Sequence, residues 1–116
     1  MTIQEAAQRS GLSAHTLRYY ERIGLIQSVG RDHSGHRDYA EPDLQWLEFL
    51  TKLRTTGMSI ADMCRYAELR RRGEHTAEER RELLELHRER VRSRIAELTQ
   101  DLKVLDDKID RYKELA

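Results

Sequence analysis

Cysteine is nearly missing from this 116-residue chain: Cys64 stands alone, so no internal disulfide can form and no zinc-type cysteine cluster exists. Proline occurs once, at Pro42, leaving long stretches in which nothing interrupts a helix. No apolar run approaches the roughly 20 residues of a membrane span, and the opening MTIQEAAQRS lacks the charged-then-apolar order of a leader. A reduced, cytoplasmic setting with no membrane partner is the resulting expectation. An excess of charge is missing too, with 21 Lys+Arg against 21 Asp+Glu. Charge alone therefore gives no signature of a nucleic-acid partner, and any DNA recognition must rest on the placement of particular arginines. The balance is nearly even within the chain as well: residues 1–73 hold 11 basic and 9 acidic side chains, residues 74–116 hold 10 and 12. No serine, histidine and acid arrangement and no Gly-rich phosphate loop can be placed, which makes an enzyme the least supported class.

Charge density is what the chain does have. Charged residues make up 36% and hydrophobic residues 38%, too polar for one round globule; a long solvated helix would absorb the charge. Thr2 and Glu5 form a possible T-x-x-E capping box opening a short helix to about Arg9. The SGLS stretch breaks it, and Ser13 can cap a second helix reaching Ile23 before Gly24. Ile3, Ala6, Ala7, Leu12, Leu17 and Tyr20 would share a small core. Helix, glycine-bearing turn, helix is the grammar of a helix-turn-helix. With Leu17 and Tyr20 turned inward, Ala14, His15, Arg18 and Tyr19 face outward and Thr16 lies at the side. A helix in the major groove needs such a surface, with arginine for guanine or phosphate and small or hydroxyl residues for close approach.

The next segment, LIQSVGRDHSGHRDYA, changes character. IQSV and RDY flank a polar tip with Gly30, Ser34 and Gly35, predicting a small β-hairpin wing in which Arg31, His36, Arg37 and Tyr39 grip the flanking backbone. Pro42 suits the first turn of a third helix carrying Leu44, Trp46, Leu47, Phe49, Leu50 and Leu53. Gly57 ends that helix, and Ser59 with Asp62 starts a fourth, striped by Ile60, Met63, Cys64 and Ala67 and ending near Gly73. Arg54 and the Met58 and Ser59 amides would hold a further phosphate at the start of that helix. His33 and His36 have a metal-like spacing, but without a third ligand phosphate contact is the better reading. From Thr76 and Glu79 to Tyr112 nothing breaks a helix about 55 Å long. Its apolar residues fall on a heptad, Ile95, Leu102 and Ile109 in one register and Leu84, Val91, Leu98, Leu105 and Tyr112 in the other. Such a seam needs a partner, and a second copy of the chain is the simplest.

GLSAHTLRYYERIGLI, GHRDYAEPDLQWLEFL and TTGMSIADM together resemble the DNA-binding domain of MerR-family transcription regulators, a likeness covering residues 1 to about 73. The resemblance implies a mainly α fold: a winged helix-turn-helix domain over residues 1–73, then an antiparallel coiled-coil dimerisation helix over residues 76–113. It implies a homodimer on a pseudo-palindromic operator in double-stranded promoter DNA. Bending and undertwisting an overlong spacer would then align the promoter elements for RNA polymerase. By the same resemblance Thr16, Arg18, Tyr19, Tyr20, Arg31, His36, Arg37, Tyr39 and Arg54 are DNA-contacting positions, Tyr20 with a buried ring and only its hydroxyl in reach of a phosphate. No cofactor is implied. The cysteines of the metal-sensing and iron–sulfur members are absent. The chain looks closest to the short members that respond to aldehydes or other electrophiles, although Lys52 stands where those place a thiol. Cys64 reads as a packed, structural thiol, with electrophile sensing as the rival reading. The alternative to a regulator is a protein-interaction or architectural DNA-binding module with no inducer.

Overall fold

A computed structural model describes residues 1–27 and 30–116, in two compact units, Met1–Arg80 and Arg81–Ala116. The first unit opens with helix α1, Ile3–Ser10, whose Thr2 hydroxyl accepts the Glu5 amide at 3.1 Å. Gly11, in the left-handed region at φ 79°, closes α1 by donating to the Ala7 carbonyl, a conformation only glycine adopts without strain. Helix α2, Ala14–Arg22, is capped by Ser13, which accepts the Thr16 amide at 3.0 Å. The helix-turn-helix predicted from the caps and glycines is therefore present.

Helix α3, Glu41–Thr55, carries Pro42 in its first turn, and Asp43 accepts the Ala40 amide at 2.9 Å to complete that end. Its Leu44, Leu47, Leu50 and Leu53 recur at every third residue and are all buried. Helix α4, Ile60–Arg72, starts at a Ser59 cap and buries Met63, Ala67 and Leu69. Helix α1 packs on α2 and α3, and α3 packs on α4, so one core holds Leu17, Leu47, Leu50 and Met63 fully out of solvent. Trp46 ties the layers: its indole N–H donates to the Leu25 carbonyl at 2.8 Å, Tyr66 stacks on it at 6.0 Å, and the Arg70 guanidinium lies 4.3 Å above its ring. Tyr66 therefore serves packing. Cys64 is half-buried beside that cluster in sequence, less deep than the apolar stripe predicted.

The wing is the main departure. Among the described residues the expected β-hairpin is one antiparallel bridge, Arg31 with Arg37, and no strand forms. Ser28 and Val29, half of the predicted IQSV arm, lie outside the described residues. The tip is closed locally: the Asp32 carboxylate accepts the Ser34 and His36 amides at 2.8 and 3.1 Å, and Gly35 turns at φ 82°. On its other edge the segment meets the chain start, the Tyr39 amide donating to Met1 O at 2.7 Å and its carbonyl accepting from the Met1 amine at 2.6 Å. The hairpin bonds among the described residues are those flanking the bridge, Asp38 N–H to Gly30 O at 2.8 Å and Asp32 N–H to His36 O at 2.9 Å, so pairing is confined to the segment beside the tight turn, too short for a strand.

A 3-10 turn at Glu74–Thr76 leads into helix α5, Ala77–Leu115. The Thr76 hydroxyl, expected as a cap, instead reaches back to the Leu69 carbonyl at 2.7 Å and fixes the end of α4. Helix α5 has 39 residues, and all but its first turn belongs to the second unit, with Arg81–Glu85 and Glu89–Arg92 among its local ion pairs. Its heptad positions lie open: Ile95, Leu98, Leu102, Leu105, Ile109 and Tyr112 are each about half exposed or more. No helix among the described residues is long and apolar enough to cross a membrane.

Candidate nucleic-acid interface

Helix α2 places its side chains as the helical period requires: Leu17 and Tyr20 are buried, His15 and Arg18 exposed, Thr16 and Tyr19 between. Around this helix the nine candidate positions sort into two clusters and one outlier.

The first cluster lines a shallow depression formed by His15, Thr16, Tyr19, Tyr20, Arg54 and Ile60. It joins the start of α2 to the end of α3 and the first residue of α4. Thr16 Oγ1 accepts from the Ser13 hydroxyl at 2.9 Å, so the proton of its own hydroxyl remains for an outside acceptor. Arg22 stands 5.4 Å over the Tyr19 ring and holds it against the helix. Tyr20 is 2% exposed, yet its hydroxyl has no hydrogen-bond partner among the described residues. Burial pushes its phenol above the ordinary tyrosine range, while the nearby Arg54 charge opposes that rise without closing a well-formed hydrogen bond. The Tyr20 hydroxyl therefore lies buried within reach of the Arg54 charge.

The second cluster joins α2 to the wing through a residue that sequence reasoning missed. Glu21 receives the Arg37 Nε–H at 2.5 Å on one carboxylate oxygen, and Arg31 lies 4.0 Å from the other. Tyr39, expected to grip DNA from the wing, instead has its ring in the core, 2% exposed, its hydroxyl with no hydrogen-bond partner among the described residues. Burial raises its phenol, Glu21 adds to the rise, and Arg37 and Arg18 oppose it, which places the ring within the field of that cluster. The signal for Glu21 was its position three residues after Arg18 on the same helix, a spacing that turns it toward the same side.

His36 is the outlier, exposed on the turn and tied through its backbone to Asp32. One expected phosphate donor is already engaged: the Met58 amide donates to the Leu53 carbonyl at 2.9 Å, closing α3. No group of three or more His, Cys, Asp or Glu among the described residues is placed to hold a metal ion.

A helix-turn-helix whose outward face meets a basic turn segment has counterparts among known proteins. Residues 2–39 match the family described as MerR family regulatory protein, and residues 44–111 match the one described as MerR, DNA binding. The chain belongs to the MerR family. An uncharacterized HTH-type transcriptional regulator from Haemophilus influenzae is 44% identical over 112 residues, covering 97% of this chain and 83% of that protein. The HTH-type transcriptional regulator AdhR from Bacillus subtilis is 45% identical over 91 residues, 78% of this chain and 65% of that one. Among solved structures, that of HiNmlR, a MerR family regulator lacking the sensor domain and bound to promoter DNA, is similar with a TM-score of 0.88. It is 43% identical and covers 97% of this chain and 90% of that one. Membership makes this MerR chain a DNA-binding transcriptional regulator, and the relatives named are regulators rather than enzymes.

Proposed function

We propose that the chain acts as a homodimer on a pseudo-palindromic operator in its promoter, distorting the spacer so that RNA polymerase meets realigned promoter elements. The observation that carries the DNA-facing part is the gathering of eight of the nine candidate residues around α2. In this reading Arg18 reaches base edges or a central phosphate from the outward face. Thr16, Tyr19, the Tyr20 hydroxyl and Arg54 converge on one backbone phosphate, and Arg31 and Arg37 hold the flanking backbone from a short β-hairpin wing. His36 adds a peripheral contact, and Tyr39 supports the wing from beneath. Deformation of DNA costs on the order of 1–6 kcal/mol, which contacts made only on bent DNA can offset. The likeness to HiNmlR, solved on promoter DNA, supports this assignment. The half-exposed heptad seam of α5 supports the dimer, formed antiparallel through residues 76–113. The residues 1–73 would then be the DNA-binding domain. Control by a stress signal or small molecule fits the family, with Cys64 acting in packing.

The test is binding of the full chain to its own promoter across a salt titration, against a scrambled duplex of equal length. Preference for the promoter, with affinity falling steeply as salt rises, is expected. Equal affinity for both duplexes would overturn the operator reading and favour an architectural role.

A further inference from the structure

Glu21 is out of place on a surface meant for a polyanion. A carboxylate there repels phosphates and, on charge alone, lowers affinity for DNA. Yet it is among the least exposed ionised side chains of the interface, at 16%, and it sits where α2 meets the wing. Its Oε2 accepts from Arg37 Nε at 2.5 Å, and its Oε1 lies 4.0 Å from an Arg31 nitrogen. Arg31 and Arg37 are the two members of the one bridge found in the wing among the described residues, so one carboxylate reaches both sides of it.

We infer that Glu21 is a positioning residue of the DNA interface: it clasps the wing to α2 and fixes the direction of Arg37 and Arg31. This rests on the DNA-binding reading above. Exposed ion pairs contribute little, but this one is short, charge-assisted and only 24% and 16% exposed on its two sides. It also connects residues 16 apart, across a turn held otherwise by one bridge and a local Asp32 cap. Engagement through Nε leaves the outer Nη edge of the Arg37 guanidinium for a phosphate. The second wing arginine is steadied twice, since Arg31 also donates to the Gly35 carbonyl at 3.3 Å. The Tyr39 ring lies buried beneath. Without the carboxylate the two arginines would repel each other and the wing would lose its register.

The isosteric Glu21→Gln substitution separates the two accounts by sign. Charge alone predicts tighter promoter binding, because a negative group leaves the interface. The clasp predicts weaker binding, by about tenfold, an effect typical of coupled neighbours. In an Arg37→Gln background the same change has lost its main partner, so it should leave affinity unchanged or improve it. NMR of the free protein gives a readout that needs no DNA: the Arg37 Nε–H should be protected from solvent exchange in the wild type and exchange freely in Glu21→Gln. Tighter binding of the single variant, equal losses in both backgrounds, or an unaltered Arg37 signal would each overturn the clasp while the DNA-binding reading stood. A wild type that ignores its promoter would overturn that reading, and the clasp's role with it.

Discussion

Two tyrosine hydroxyls set the terms at the scale of single residues. Those of Tyr20 and Tyr39 are buried with no hydrogen-bond partner among the described residues, an arrangement that lowers stability unless something else depends on it. Tyr20→Phe should leave the folding free energy unchanged or slightly raised, while promoter affinity falls by about 1 kcal/mol through loss of a phosphate hydrogen bond. Denaturation and anisotropy titrations on one preparation check this; a loss of stability with affinity intact would assign the hydroxyl to folding. Both phenols are held above their ordinary range, burial being the main cause. The folded chain then keeps protons that the unfolded chain releases. Their contribution to stability is complete below about pH 10 and lost as pH rises through the raised values. Melting temperature should be level up to that point and fall beyond it, and the fall should be shallower in Tyr20→Phe. Arg18→Ala, on the exposed face, should cost about 1–3 kcal/mol of promoter affinity and relax sequence preference. Unchanged binding by competition assay would remove Arg18 from the interface. The exposure of Arg18 was legible from helical period alone, because Leu17 and Tyr20 fix which side is inside. The burial of Tyr39 was not, nor its backbone pairing with Met1, 38 residues away. Nor was the pairing of Glu21 with Arg37, for which only the fold supplies the proximity.

Among the elements, helices were legible and the wing was not, for a physical reason. Thr2, Ser13 and Ser59 each accept an amide three residues on, and Gly11, Gly24, Gly57 and Gly73 all have positive φ where a helix ends. These are local rules, satisfied within a few residues of chain. A strand depends instead on its partner, and at Tyr39 the chain start is that partner. The apolar stripe of α4 was read correctly at Met63 and Ala67, whereas Ile60, 39% exposed, proves to line the depression beside Arg54. The capping Ser13 also links folding to the interface, because its hydroxyl donates to Thr16 Oγ1 at 2.9 Å. Ser13→Ala should therefore cost about 1 kcal/mol of stability, as lost caps do, and should also weaken DNA binding by freeing Thr16. Guanidinium denaturation and promoter titration read the two effects; a stability loss with no change in affinity would separate the cap from the interface. Cys64→Ser, on α4, should lower stability modestly and leave promoter binding intact. An aldehyde-induced promoter response in the wild type that disappears in a folded Cys64→Ser variant would instead make the thiol a sensor.

For the whole molecule the account turns on α5. One copy leaves its heptad positions from Ile95 to Tyr112 open to water. At roughly 25 cal/mol per Å² of apolar surface removed from water, pairing that seam is a strong driving force. The balanced total charge divides a little unevenly: residues 1–73 hold 11 basic and 9 acidic side chains, residues 74–116 hold 10 and 12. Leu98→Glu would place an unpaired charge in the seam and should dissociate the dimer, with promoter affinity falling as the two half-sites become independent. Native mass spectrometry of the full chain with its own promoter duplex tests dimer and DNA recognition together. Two chains per duplex, formed from a pre-existing dimer and outcompeting a scrambled duplex, is the predicted result. One chain per duplex, or equal occupancy of both duplexes, would contradict it.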